Sequence, residues 1–174
     1  EFRFANRCDW GGGDYEDLMA GVDALVGRGI ADPARLGVMG WSYGGYMTLM
    51  ALARAPEVFG AGVAGAPVTH WDGDDTGDTE RYMSTPQSNP EGYRVSSVMA
   101  HVDGIRAPLL IVHGMIDENV HFRHTARLMV ALAAAQKPYE LLAYPEERHM
   151  PRDAKGLEYQ ERRVLEFLQR ALGR

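Results

Sequence analysis

Short apolar runs alternate along the chain with longer stretches in which apolar residues recur every three or four positions. The short runs predict buried β-strands, and the longer stretches predict amphipathic helices. The predicted strands span residues 36–41, 60–67, 107–114 and 139–145, and the predicted helices span residues 14–27, 43–55, 121–137 and 157–173. This alternation indicates an α/β fold, in which helices cover both faces of a mostly parallel sheet.

The first and last predicted helices carry specific expectations about capping and burial. Asp14 is predicted to cap the first helix, which Gly27 and Gly29 close. The apolar stripes are predicted to consist of Leu18, Val22, Leu25 and Val26 in the first helix and Leu157, Val164, Leu165, Leu168 and Leu172 in the last. The segment between Pro67 and Pro108 shows no such period, so we expect an irregular excursion over the end of the sheet, where α/β proteins bind ligands.

Composition and charge narrow the class of protein. The 174 residues, 45% hydrophobic and 24% charged, have the size and make-up of one globular domain, residues 1–174. A formal net charge of -6 argues against a nucleic-acid partner. No apolar run approaches the roughly 20 residues that a membrane helix needs. The lone Cys8 predicts a cytoplasmic location, and a start at Glu1 without Met predicts a fragment of a larger protein.

The sequence Gly40-Trp41-Ser42-Tyr43-Gly44 lies between a predicted strand and a predicted helix. In that position G-x-S-x-G predicts a nucleophile elbow, a sharp strained turn that exposes a serine hydroxyl at the end of the sheet. The two glycines are expected to lack side chains so that the strand and the helix can approach each other. The backbone N–H of Tyr43 is expected to face a developing oxyanion. The alternative is an incidental serine in a glycine-rich turn, which the flanking elements disfavour.

A serine nucleophile needs a general base, and the base needs an acid that holds its tautomer. In a fold of this kind the three residues follow successive strands in the order Ser, Asp or Glu, His. Asp117 follows the predicted strand 107–114, and His149 follows the predicted strand 139–145. The sequence therefore predicts a catalytic triad of Ser42, Asp117 and His149.

Other acids and histidines fit this order less well. Glu118 is an alternative acid, Asp103 is a more remote one, and His113 is expected to pack near the site. His70 and His101 precede the acid in the chain, which is the wrong order for a base. His121 and His124 lie three residues apart on a predicted helix, and their face is expected to be solvated. Because no third ligand has suitable spacing for zinc, neither a metal nor a cofactor is predicted.

Several longer stretches are more specific than the serine motif. They are GWSYGGYM, GAPVTHW, DTGDTERYM, HGMIDENVHFRHT and YPEERH, and they cover most of the chain from residue 37 onward. Together they resemble the C-terminal catalytic domain of the prolyl oligopeptidase family, in its dipeptidyl peptidase IV branch. The resemblance implies an α/β-hydrolase fold and a serine peptidase that cleaves short peptides through an acyl-enzyme.

The resemblance also implies roles for residues around the triad. Asn119 is expected to hold the substrate backbone, and Tyr43 to supply its N–H to the oxyanion hole. The pocket for the residue on the acyl side of the cut is expected to include Val68, Trp71, Tyr82 and Val120. Core packing is the alternative interpretation for the aromatic and aliphatic members of this set. Family members often dimerise through their hydrolase domains, so a homodimer is a further expectation.

Two acidic residues depart from the family pattern. Where proline-specific relatives have two pocket tyrosines, this chain has Asp74 and Asp78. Carboxylates cannot offer the flat apolar face that a proline ring needs, and burying them unpaired is costly. We therefore expect the pocket to favour a basic or polar side chain. The alternative is a shifted loop in which both carboxylates point to solvent.

The family also has parts that fall outside residues 1–174: strands before the elbow, one of which carries an oxyanion-hole tyrosine, and a β-propeller that gates access. Loss of one oxyanion donor costs about 100- to 1000-fold in rate. We therefore expect the isolated chain to be weakly active or inactive, and to self-associate through an uncovered sheet edge. A carboxylesterase of the same fold and a noncatalytic interaction fragment remain alternatives, although noncatalytic relatives usually lack the serine.

Overall fold

Four parallel strands form one sheet in residues 6–173, the part of the chain that the computed structural model describes. Glu1, on which the expectation of a fragment rests, lies outside these residues. The strands follow one another across the sheet in chain order, as β1 (Gly37–Trp41), β2 (Ala61–Gly65), β3 (Leu109–Gly114) and β4 (Glu140–Tyr144). Every neighbouring pair is parallel. The predicted parallel sheet is therefore confirmed.

Helices connect and flank these strands. They are α1 (Gly13–Gly27), α2 (Tyr43–Arg54), α3 (Thr76–Met83), α4 (Pro90–Val95), α5 (Arg123–Ala134) and α6 (Ala154–Ala171). The four helices predicted from periodicity correspond to α1, α2, α5 and α6, with ends that differ by at most three residues. Between residues 6 and 173, no helix combines the length and the hydropathy that crossing a membrane requires.

The two faces of the sheet are covered by different helices. Because consecutive strands step across the sheet in one direction, right-handed crossovers place α2 and α5 on the same face. There Leu128 of α5 joins Ile111 of β3 in the larger apolar cluster. On the opposite face, Phe167 of α6 packs with Val112 of β3. Alternate residues of β3 thus face two helical layers, which explains why its sequence is a continuous apolar run.

The start of α1 differs from the sequence prediction. The N-cap residue is Gly12, and the side chain of Asp9 accepts the backbone N–H of Gly13 at 3.1 Å. Asp14 lies inside the helix, so the predicted N-cap is wrong. Its Oδ1 accepts the N–H of Tyr15 at 3.0 Å, and its Oδ2 accepts a hydrogen bond from the hydroxyl of Tyr43 in α2.

The apolar stripes of α1 and α6 are narrower than predicted. Val164 is buried in α6 as expected, and Phe167, which the prediction left out, is buried beside it. The stripe residues that the structure leaves exposed are Leu25, Leu157 and Leu165. Apolar character alone therefore did not identify the buried face of either helix.

The segment between β2 and β3 was expected to be irregular, and this prediction is wrong in part. It contains α3, α4 and short 3₁₀ turns. Both helices begin at side-chain caps: Asp75 accepts the N–H of Gly77, and Asn89 accepts the N–H of Gly92. With eight and six residues, these helices are too short to show an apolar period in the sequence.

All four strands end at the same edge of the sheet because they are parallel. Ser42 directly follows β1, Asp117 follows β3, and His149 follows β4. Ligands of open α/β sheets bind at this edge. The topology thus carries the three predicted triad residues to one place.

Candidate active site

Ser42 lies at the turn between β1 and α2, in a backbone conformation that side chains rarely adopt. Its φ and ψ are 61° and -116°, and a residue other than glycine held at positive φ stores strain. The N–H of Ser42 donates to the carbonyl of Gly65 at 2.8 Å, and the N–H of Tyr46 donates to the carbonyl of Ser42 at 3.0 Å. The structure therefore contains the sharp strand-to-helix turn that the motif predicts.

Close backbone approach explains two of the glycines near Ser42. A Cβ added at Gly40 would lie 2.4 Å from the carbonyl carbon of Gly44, and one added at Gly45 would lie 2.5 Å from the carbonyl oxygen of Gly65. A Cβ added at Gly44 would meet nothing within 4 Å. The expectation that both motif glycines must lack side chains thus holds for Gly40 and is wrong for Gly44.

Asp117 and His149, the predicted acid and base, are hydrogen-bonded to each other. His149 Nδ1 lies 2.7 Å from Asp117 Oδ2. Asp117 Oδ1 accepts the backbone N–H of Asn119 at 2.9 Å and of Val120 at 3.0 Å. The carboxylate is fully buried, and the imidazole is 26% exposed. Because an ionised carboxylate only accepts, Nδ1 carries the proton, and Nε2 of the neutral ring is free to take another.

Trp41 connects His149 to the turn that holds the serine. Its indole N–H donates to the carbonyl oxygen of His149 at 2.7 Å, across 108 positions of sequence. Within the described residues, the Ser42 hydroxyl makes no hydrogen bond with His149. Hydrogen bonds between a nucleophile and its base often form fully only when substrate binds. Trp41 was not predicted to have a role. The sequence gives only a weak indication of this contact, namely a tryptophan directly before the serine.

His113 lies beside the acid, as predicted. Its ring is buried, with Nε2 at 3.3 Å from Asp117 Oδ2 and at 2.9 Å from the carbonyl oxygen of Val120. Glu118, the alternative acid, is exposed and paired with Arg148. The geometry therefore favours Asp117 over Glu118 as the partner of the base.

Tyr43 is the first residue of α2, so its backbone N–H has no acceptor within the helix. This N–H is therefore available to an oxyanion beside Ser42. The phenol of Tyr43 donates to the carboxylate of Asp14. Burial, and then this hydrogen bond, raises the pKa of the Tyr43 phenol, which stays protonated. Asp14 was predicted as a helix cap, and the sequence offers no local sign of its contact with Tyr43.

The predicted pocket residues lie in or against the larger apolar cluster. Val68, Trp71 and Val120 are buried, and Tyr82 is half-buried. Asn119 is exposed, and its backbone N–H contributes to the carboxylate contacts described above. The burial of Val68, Trp71 and Val120 in this cluster fits the core-packing alternative for these three residues.

Trp10 packs among these aromatic rings and was not predicted to do so. Its ring centroid lies 4.2 Å from that of Trp71, 5.6 Å from that of Tyr43 and 5.7 Å from that of Tyr82. The hydroxyl of Tyr46 donates to the Trp10 carbonyl at 3.0 Å. The only sequence feature that could have indicated this packing is a tryptophan directly before three glycines. Trp10 forms one wall of an aromatic cluster that includes two predicted pocket residues.

The two acidic residues at the family's tyrosine positions have different surroundings. Asp78 is exposed, whereas Asp74 is half-buried. Burial, and to a lesser degree the charges of Asp75 and Asp78, raises the pKa of the Asp74 carboxyl. Arg123 donates to the neighbouring carbonyl of Gly73. Asp78 therefore fits the solvent-facing alternative, and Asp74 is the partly desolvated carboxyl of the two.

The prediction that His124 lies on a solvated helix face is wrong. This residue is fully buried, and its ring lies 4.4 Å from that of His70, centroid to centroid. The N–H of Thr69 donates to His124 Nδ1 at 3.2 Å. Burial lowers the pKa of His70 to about 4 and that of His124 to about 3. Among residues 6–173, no three side chains of the metal-binding kind come together.

The chain is similar in sequence to known proteins. A family model described as the prolyl oligopeptidase family matches residues 1–174. Dipeptidyl peptidase 8 of Homo sapiens is 42% identical over 177 residues, which cover 99% of this chain and 20% of that protein. Dipeptidyl peptidase 4 of Bos taurus is 37% identical over 139 residues, which cover 78% of this chain and 18% of that protein. The chain spans about one fifth of the length of these relatives.

A solved structure supports the same fold. The crystal structure of Porphyromonas gingivalis dipeptidyl peptidase 4 superposes with a TM-score of 0.92 at 36% sequence identity. The match covers 97% of this chain and 24% of that chain. The predicted α/β-hydrolase fold is confirmed.

Proposed function

Because the chain belongs to the prolyl oligopeptidase family, we propose that it is the catalytic part of a serine peptidase that removes dipeptides from short peptides. The observation that carries this proposal is the hydrogen-bonded pair of Asp117 and His149 beside the strained turn of Ser42. The relatives described above are dipeptidyl peptidases, which supports cleavage near a free amino end.

In the proposed reaction, His149 Nε2 takes the hydroxyl proton of Ser42 as Oγ bonds to the carbonyl carbon of the scissile peptide. The backbone N–H of Tyr43 donates to the oxyanion that forms. His149 then passes the proton to the leaving amine, the C–N bond breaks, and the acyl group remains as an ester on Ser42. Water repeats the sequence and releases the acyl product. Asp117 keeps Nδ1 protonated and stabilises the imidazolium.

The proposed pocket disfavours proline. Val68 and Trp71 are apolar and almost fully buried, and Asp74 stands at a position where proline-specific relatives have a tyrosine. A cationic or hydrogen-bonding substrate side chain would offset the desolvation of this carboxyl. Asp78 is exposed, so its contribution to such a preference is small.

Location and assembly are proposed on narrower grounds. Cys8 is the single cysteine of the 174 residues, which supports a cytoplasmic location. Resemblance to a family whose hydrolase domains pair supports a homodimer. Cell fractionation and sedimentation of the full-length protein test these two proposals.

Hydrolysis of dipeptidyl anilides by the full-length protein tests the proposed activity. Substrates with Pro, Ala, Lys or Arg at the second position report the pocket preference, and a short acyl ester compares ester with amide turnover. We expect anilide hydrolysis, with Lys or Arg preferred over Pro. Ser42→Ala should lower this rate on the order of 10⁶-fold. Ser88→Ala, at an exposed serine, is the matched control.

Each alternative has its own outcome in this experiment. Ester turnover without anilide turnover would establish a carboxylesterase. A biological function that survives Ser42→Ala would establish a noncatalytic module. A clear preference for Pro would overturn the proposed role of Asp74 while leaving the peptidase reaction in place.

A further inference from the structure

His113 is a buried histidine that the proposed reaction does not use directly. Its side chain has no solvent exposure. Both ring nitrogens nevertheless have partners: Nδ1 lies 2.7 Å from Thr125 Oγ1, and Nε2 lies 2.9 Å from the carbonyl oxygen of Val120. A buried ring whose polar atoms are all paired is held in a single orientation.

These partners determine which nitrogen of His113 carries the proton. The Val120 carbonyl can only accept, so Nε2 is protonated, and Nδ1 accepts from the hydroxyl of Thr125. Burial lowers the pKa of His113 by more than its contacts with Val120 and Asp117 raise it. The ring is therefore neutral near pH 7, and Nε2–H is its one donor.

The nitrogen of His113 that donates to Val120 also lies near the carboxylate oxygen that binds the base. Nε2 lies 3.3 Å from Asp117 Oδ2, and the same oxygen lies 2.7 Å from His149 Nδ1. Asp117 Oδ2 thus lies close to two imidazole nitrogens, and its hydrogen bond is with His149.

His113 also holds the turn that binds the other carboxylate oxygen. The N–H of Val120 donates to Asp117 Oδ1 at 3.0 Å, and the carbonyl of the same residue accepts from His113 Nε2 at 2.9 Å. One imidazole therefore lies near Oδ2 of the carboxylate and binds the carbonyl of the residue whose N–H donates to Oδ1. Rotation of the Asp117 carboxylate would break contacts on both sides.

We propose that His113, kept in one tautomer by Thr125, is a positioning residue that orients the Asp117 carboxylate toward His149. It acts through Asp117 and touches neither the substrate nor the nucleophile. The role of His149 as the base, and therefore the kinetic consequence of this orientation, rests on the proposed function.

Three variants of the full-length protein test the proposal: His113→Leu, His113→Gln and Thr125→Val. A glutamine amide can place an N–H near the position of Nε2, whereas leucine cannot. We expect His113→Leu to lower kcat for dipeptidyl anilides by roughly 10- to 100-fold with KM unchanged, since small misplacements of catalytic groups cost up to about 100-fold. His113→Gln should recover most of the loss, and the nearly isosteric Thr125→Val should fall between the two.

Two further readouts do not depend on a peptide substrate. One is the rate at which a fluorophosphonate labels Ser42, and the other is the low-field proton resonance of His149 Nδ1–H in its bond to Asp117. We expect slower labelling and a shifted or broadened resonance in His113→Leu and Thr125→Val. Thr79→Val is the matched control, because Thr79 is buried and its hydroxyl has no partner in the described part of the chain.

These readouts separate failure of the inference from failure of the proposed function. A wild-type protein that is labelled at Ser42 but leaves anilides intact would overturn the peptidase proposal, and labelling and the resonance would still decide the role of His113. If His113→Leu and Thr125→Val both match Thr79→Val in labelling and resonance, the positioning role is overturned. If His113→Leu does not fold, Thr125→Val decides by the same criteria.

Discussion

At the scale of single residues, the two glycines of the serine motif are not equivalent. Alanine at Gly40 would bring Cβ to 2.4 Å from the backbone of Gly44, and relief of this clash would displace the start of α2. We therefore expect Gly40→Ala to lower the thermal unfolding midpoint and to abolish fluorophosphonate labelling of Ser42. Gly44→Ala, the matched control, has open space and a helical position where Ala is favoured by about 1 kcal/mol. Equal losses in the two variants would contradict this turn geometry.

Residue roles were predictable where chain order determines position. Asp117 and His149 follow successive parallel strands, and the loops after such strands meet at one edge. The contact of Trp41 with the His149 carbonyl spans 108 positions, and that of His113 with Thr125 joins a strand to a helix. Contacts of this kind depend on how elements pack, which no local pattern of residue types encodes.

At the scale of elements, the starts of α1 and α2 are joined by the hydrogen bond from Tyr43 to Asp14. Hydrogen bonds to charged groups contribute about 1.5–3 kcal/mol. Asp14→Asn removes this charge, so we expect a lower unfolding midpoint and slower labelling of Ser42, whose neighbour Tyr43 is proposed to supply the oxyanion N–H. Asp17→Asn, at an exposed carboxylate of the same helix, is the matched control and should behave as wild type.

A double-mutant cycle tests this link between the two helices. If Tyr43 and Asp14 interact, Tyr43→Phe should add little to the loss caused by Asp14→Asn. Losses that add in full would show that the two side chains act independently. Thermal unfolding of the four proteins in the cycle provides the measurement.

Helices were predictable in proportion to their length. The 12 residues of α2, the 12 of α5 and the 18 of α6 hold several apolar repeats, whereas α3 depends on the cap at Asp75 and on tertiary contacts. Even in α6 the buried face was only partly predicted, because Leu165 is exposed and Phe167 is buried. The periodicity identifies a helix, but the partner surface decides which apolar side chains it covers.

At the scale of the whole molecule, His70 and His124 make the fold sensitive to acid. Their pKa values of about 4 and about 3 lie below the ordinary value of 6.5, because burial disfavours the charged ring. At pH values between each lowered pKa and 6.5, the unfolded chain binds more protons than the folded one. Their contribution to stability is therefore complete above about pH 6.5 and is lost as the pH falls toward 4 and then 3. Arg123 and Arg127 oppose protonation of His70, and Asp72 favours it.

The Thr69 amide should report this loss directly. Its N–H donates to His124 Nδ1 at 3.2 Å. When local opening exposes the ring, His124 takes up a proton below about pH 6.5 and can no longer accept this bond, so opening becomes easier as the pH falls. We expect hydrogen-exchange protection of this amide, corrected for the intrinsic rate, to fall as the full-length protein is taken from about pH 7 to about pH 4.5. His124→Leu should give low protection with a weaker pH dependence, because His70 remains, and His121→Asn, at an exposed histidine, should keep the wild-type profile. Protection that stays constant across this range in the wild type would contradict the proposed role of neutral His124, because an opening that frees this ring takes up a proton below about pH 6.5.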